Sequence, residues 1–102
     1  MKTLPALQAD IKEERIRRGF VTDPEKIFIL LNEEIGEVAA ELKRTWSKNY
    51  DAFSQDRLED EMADCFILLV ALANSFDIDL EAVVQRKFFD KDGARSWKSA
   101  QT

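Results

Sequence analysis

Residues 33–44 read EEIGEVAAELKR. Four glutamates, Glu33, Glu34, Glu37 and Glu41, fall within nine residues of a segment whose apolar positions keep helical spacing. At about 100° per residue, Ile27, Leu31 and Val38 form one stripe of a helix. Glu34 falls inside that stripe, three residues after Leu31 and four before Val38. Glu37 lies about 60° round from Glu34, Glu41 stands nearly above it, and Glu33 points about 100° away towards solvent. The helix therefore carries acid on the face it must bury. What neutralises that acid decides what the chain does.

The pattern recurs downstream. Residues 65–76, CFILLVALANSF, are the longest uncharged run. Most of this run is apolar on every side, and a helix of that kind needs to be buried all round. Cys65, Leu68 and Leu72 make a stripe that Glu61 continues, with Asp64 about 60° round from it. Two helices thus repeat one arrangement, an acid in the core stripe and a second acid three residues later.

Outward from these segments, the punctuation marks four helices and no strand. Thr3-Leu4-Pro5 starts the first and Gly19 ends it. Asp23 with Pro24 caps the second, which is expected to run to about Thr45. Residues 45–55 read as a loop. Asp56 with Glu59 resembles a capping box that opens a third helix to about Phe76. Asp77 to Asp79 break it and cap a fourth over about Leu80 to Lys91, with Gly93 beyond. Three Gly and two Pro are too few for a sandwich or barrel. A length of 102 residues fits a single domain, 1–102, with a modest core. A core that small cannot easily surround the 65–76 helix, so an all-α, four-helix bundle-like fold completed by oligomerisation is expected.

Bulk composition removes several function classes. Acidic residues outnumber basic ones, 20 to 15, for a net charge of -5, which argues against nucleic acid as a partner. The absence of His excludes Ser-His-Asp triads, Cys-His dyads and His-ligated zinc. One cysteine, Cys65, leaves no internal disulfide and suits a reducing compartment. The charged start MKTLPALQADIKEER does not read as a signal peptide, and a run of twelve uncharged residues cannot span a bilayer. A cytoplasmic protein without membrane attachment is expected.

Burying four carboxylates together is costly unless something neutralises them. Lys or Arg in ion pairs is one answer and a divalent metal is the other. An all-oxygen set without His or Cys suits a hard cation, Mg²⁺ or Mn²⁺, which keeps positions open for water and substrate phosphate. Lys87 and Lys91 extend the apolar face set by Leu80, Val83 and Val84, and Arg95 follows. These cations are candidates for holding phosphate oxygens. Gly36 costs its helix about 1 kcal/mol relative to Ala, so close packing of another segment is expected there. Trp46, Tyr50, Phe53 and Trp97 are candidates for stacking on a nucleobase, or for packing.

Together these residues resemble the MazG-like all-α nucleoside triphosphate pyrophosphohydrolases. The family pattern is E-x-x-E followed by E-x-x-D. Here it reads Glu34-Ile35-Gly36-Glu37, then Glu61-Met62-Ala63-Asp64, with 23 residues between. The flanking text, LLNEEIGEVAAELKR and LEDEMADCFILLVALANSFDIDLEAVVQRKF, is similar as well, and the resemblance covers roughly residues 20 to 97. It implies Mg²⁺-dependent cleavage of a (deoxy)nucleoside triphosphate between its α and β phosphates, giving monophosphate and pyrophosphate. It implies Glu34, Glu37, Glu61 and Asp64 as metal ligands and catalytic residues, and a homo-oligomer, dimer or dimer of dimers. Lys87, Arg95 and Trp97 match the family's Lys, Arg and Trp, while Asp92 stands where the family has Asn. Glu33 and Glu41 are candidates for orienting the attacking water. The rival reading is a non-catalytic acidic helical interaction module, which needs no metal.

Overall fold

The computed structural model describes residues 2–49 and 51–95, so Tyr50 and Trp97 lie outside the described residues. Four α-helices follow one another: α1, Leu4–Arg17; α2, Pro24–Lys43; α3, Gln55–Ser75; and α4, Leu80–Val84. The chain continues from α4 into a π-helical stretch, Gln85–Lys91. No strand occurs among the described residues. The all-α class is as expected, but the fourth α-helix is short and its second half, expected to be α-helical to Lys91, is π-helical.

The helix ends follow local chemistry. The Thr3 hydroxyl accepts from the Ala6 N–H at 3.2 Å and starts α1. Gly19, at φ 73°, closes it with bonds from Gly19 N–H to Ile16 O and from Phe20 N–H to Arg15 O, both 3.0 Å. Asp77 ends α3 the same way at φ 52°, with Ile78 N–H donating to Ala73 O at 3.0 Å. Asp79 caps α4 through Ala82 N–H. Two expected details change. Ser54, not Asp56, caps α3: it precedes the helix in extended conformation and accepts from Arg57 N–H at 3.2 Å. Asp23 occupies the cap position of α2 without a side-chain capping bond.

α2 and α3 pack as an antiparallel hairpin, and α1 lies across α3 and reaches α4. The core is small: Ile27, Leu31, Leu68 and Ala71, with Val21, Cys65 and Leu72 packed against them. Burying each large apolar side chain stabilises by roughly 1.5–3 kcal/mol. A polar joint fastens α1 to this hairpin. Gln8, 5% exposed, donates from Nε2 to Asn74 Oδ1 at 3.1 Å and to Ile78 O at 2.9 Å. Its Oε1 accepts from Leu80 N–H at 2.9 Å, and Asn74 Nδ2 returns a bond to Gln8 O at 3.0 Å. One side chain thereby fixes the corner between α3 and α4.

Much apolar surface is left uncovered within the chain. Phe28, Ile29 and Ile35 on α2, Phe66 and Leu69 on α3, and Phe76 after it are all exposed. The radius of gyration is 16.7 Å, against about 13 Å for a compact domain of this size. Gly36 does not support the close packing expected of it, because a Cβ there would meet nothing within 4 Å.

Candidate active site

The register of the α2–α3 hairpin sorts its facing residues into layers. Stepping by seven along α2 gives Ile27, Glu34 and Glu41; stepping back by seven along α3 gives Ala71, Asp64 and Arg57. The first layer is apolar core. The second is acid against acid. The third is acid against base.

In the acid layer, carboxylate oxygens of Glu34, Glu61 and Asp64 all lie within 4.8 Å of one another. Glu34 and Glu61 are half-buried and Asp64 is exposed. Burial is the main cause that pushes the Glu34 carboxyl above its ordinary value. A hydrogen bond with Glu61 and the charges of Asp64, Glu61 and Glu37 push it the same way. No Lys or Arg pairs with these three carboxylates among the described residues. Three converging oxygens with no positive partner suit a hard divalent cation, so the residues present fit the metal that the sequence pattern implies. Glu37, the fourth expected ligand, is exposed and stands outside the converging trio, though its charge reaches Glu34. Beside them, burial and the charges of Glu34, Asp64 and Glu61 push the Cys65 thiol up.

The third layer resolves the place of Glu41. It is 4% exposed, and Arg57 Nε donates to its Oε1 at 2.8 Å. Arg44 lies 3.5 Å away and the Ser54 N–H donates at 2.9 Å. Arg57 Nη2 also donates to Ala52 O at 2.6 Å, so the clamp ties the 44–54 connection to both helices. The hydrogen bond from Arg57 holds the Glu41 carboxyl below the usual range. An acid already bound by two arginines and a backbone N–H is not free to orient water, and Glu41 drops from the candidates for that task. Glu33 is exposed.

The C-terminal cations sit elsewhere. The π-helical stretch continues α4, and none of Lys87, Lys91 and Arg95 lines the cavity that holds Glu34 and Asp64. Lys87 pairs with Asp92, and Arg95 Nη1 lies 3.6 Å from the other oxygen of the same carboxylate. Asp92, at the family's Asn position, thus serves as a partner to both. Trp46 is exposed in the turn after α2, and Phe53 is half-buried.

That cavity, of about 400 Å³, lies between α1 and the hairpin. Glu34 and Asp64 line its α2–α3 side, and Arg15, Arg18 and Phe20 line its α1 side. Sequence reading did not reach the α1 wall. Of the basic residues that precede Gly19, Arg15 and Arg18 line the cavity and Arg17 does not.

A family model described as MazG nucleotide pyrophosphohydrolase domain matches residues 22–96. The uncharacterized protein YpjD of Bacillus subtilis (strain 168) is 32% identical over 101 residues, covering 92% of this chain and 90% of its own length. No solved structure matches the chain significantly. No helix among the described residues is long and apolar enough to cross a membrane. With both acid motifs and the helices that carry them inside the matched region, the chain belongs to the MazG nucleotide pyrophosphohydrolase domain family.

Proposed function

We propose that this chain hydrolyses nucleoside triphosphates, ribo- or deoxyribo-, to a monophosphate and pyrophosphate, with Mg²⁺ as the preferred metal and Mn²⁺ as a substitute. The observation that carries this reading is the convergence of Glu34, Glu61 and Asp64 with no Lys or Arg paired to them among the described residues. Glu37 is proposed to join them, one turn from Glu34 on α2. When bound, a hard divalent cation supplies neutralisation of phosphate charge and acidification of water. The carboxylates hold it, and the apolar neighbours Cys65 and Leu68 keep the dielectric around them low, which strengthens their grip on positive charge. The phosphates would enter beside Asp64, the most exposed of the three.

Assembly is part of the proposal. The exposed apolar residues of α2 and α3 and the open shape of the single chain support a homo-oligomer, a dimer or a dimer of dimers. Lys87, Lys91 and Arg95 are proposed to hold phosphate oxygens. Because none of the three lines the acid cavity of its own chain, this assignment calls for a second copy to bring them there. Trp46 and Trp97 are proposed only as aromatic contacts of that assembled site. Nucleotide-pool maintenance in the cytoplasm is the corresponding setting, with Cys65 as a reduced thiol.

The experiment is a panel of nucleoside and deoxynucleoside triphosphates with Mg²⁺, scored for products. Pyrophosphate and a monophosphate are expected from at least one of them. Orthophosphate and a diphosphate would overturn the proposed cleavage site. Light scattering at micromolar concentration should show a dimer or larger, and a stable folded monomer would overturn the assembly.

A further inference from the structure

The α1 wall of the acid cavity carries a cation with no assigned task. Arg17 and Arg18 both bind Glu14, and these bonds pull the Glu14 carboxyl down to about 2. Arg15 has no carboxylate partner among the described residues, although Glu14 is its neighbour and Glu34 lines the same cavity. Its guanidinium is nevertheless held in place. Nη2 donates to Val21 O at 2.9 Å, and Cζ sits 5.2 Å from the centre of the Phe20 ring. The ring contact and one hydrogen bond hold the guanidinium, and its remaining N–H donors bond no protein acceptor among the described residues. Arg15 is half-buried, and its remaining donors still reach solvent. A ligand acceptor in the cavity would take the place of water at them.

Between this wall and the acids the cavity is apolar, lined by Val21, Leu30, Ile67 and Leu68. Its volume of about 400 Å³ is within the range of small-molecule sites. A nucleotide whose phosphates are drawn to Glu34, Glu61 and Asp64 would place its nucleoside in this apolar space, against α1. We propose that Arg15 is a specificity-determining residue that reads hydrogen-bond acceptors on the base, with Phe20 as the positioning residue that holds its fork. The inference rests on the pyrophosphohydrolase reading and names which substrates that site prefers. A guanidinium only donates. Guanine presents the adjacent acceptors O6 and N7, and cytosine presents O2 and N3. Adenine places an N6 donor beside each acceptor of its outer edge. Guanine or cytosine nucleotides are therefore preferred over adenine nucleotides.

The test is kcat and KM for GTP, CTP, ATP and UTP in the parent, in Arg15→Lys and in Phe20→Leu. Arg15→Lys keeps the charge and can still reach Val21 O, but it has no fork. The parent is expected to favour guanine or cytosine over adenine, and Arg15→Lys to shrink that ratio by about tenfold, chiefly through KM. Phe20→Leu should shrink it less, in the same direction. Melting curves and Mn²⁺ affinity, measured by electron paramagnetic resonance, should match the parent's in both variants. An equal loss on all four substrates would make Arg15 a phosphate contact and overturn the inference. So would an unchanged ratio, or a parent that prefers adenine. A parent that cleaves none of these nucleotides, or their deoxy forms, would overturn the pyrophosphohydrolase reading and this inference with it. Should Arg15→Lys fail to fold, an unchanged ratio in Phe20→Leu decides against the inference.

Discussion

Glu34 and Glu41 stand seven residues apart on one stripe of α2, facing the same helix, and they have opposite environments. Glu41 meets Arg57, Arg44 and the Ser54 N–H, and its carboxyl is pulled below the ordinary glutamate value of 4.5. Glu34 meets Glu61 and Asp64, and its carboxyl is pushed above that value. An ion pair neutralises the carboxylate of one layer, and a metal is what we propose for the adjacent layer of the same hairpin. Depth alone does not tell a site from a strut, because the more deeply buried acid is the structural one. The identity of the residue opposite tells them apart.

The sharpest way to break this contrast is to give Glu34 the partner that Glu41 has. Asp64→Arg places an arginine opposite Glu34, as Arg57 stands opposite Glu41. Turnover should fall to background and the response of the melting temperature to Mg²⁺ should vanish, while the metal-free protein melts no lower than the parent. A substantially lower melting temperature in chelator would show that the layer is not held apart by like charges.

The pH dependence of metal-free stability should differ in sign between the layers. Glu41 has a lowered folded pKa, so the native state binds fewer protons than the unfolded chain there. Its contribution is present above about 4.5 and is lost as pH falls through the folded pKa. Glu34 has a raised folded pKa, so its native state binds more protons and stability falls as pH rises through the carboxylate range. In chelator near neutral pH, Glu41→Gln should lower the melting temperature by several degrees and Glu34→Gln should hold or raise it. Well below pH 4.5 both differences should fade. Shifts of the same sign at neutral pH would erase the distinction.

A third satisfied polar group sharpens the comparison at smaller scale. Gln8 is uncharged, yet like Glu41 it is buried with its partners in place. Gln8→Ala strands the Leu80 N–H and the Asn74 and Ile78 acceptors, at a cost of roughly 1–3 kcal/mol measured by denaturant unfolding. Mg²⁺ affinity should be unchanged, because α1 is fastened there at the end of the hairpin away from the acids.

The helices and the acid layer were legible because their signals are local. Apolar spacing placed Glu34 and Glu61 on core stripes, and the caps at Thr3 and Asp79 carry their own chemistry. The partner of Glu41 was not legible, since Arg57 lies across a connection whose path the sequence does not reveal. The same is true of Ser54, whose capping role was hidden by the better-matched Asp56 and Glu59. Gln8 looks like any exposed helix residue until α4 turns back onto it. Gly36, read as a packing position, faces open space within the chain. The α1 wall with Arg15 and Phe20 depends on the Gly19 turn bringing two neighbours against a cavity made by other helices.

The central claim is that the acid layer awaits a metal and the layer above it does not. Thermal melting of the parent and of Glu61→Gln, each with Mg²⁺ and with chelator, tests it most directly. Glu61→Gln keeps the shape and removes one charge. The parent should gain about RT ln(1 + [M]/Kd), roughly 2.7 kcal/mol at a hundredfold excess of Mg²⁺ over Kd. Glu61→Gln should melt at or above the parent in chelator and lose most of that gain. If it instead melts lower in chelator and keeps its full response to Mg²⁺, Glu61 is a structural partner like Glu41, and the metal centre is contradicted.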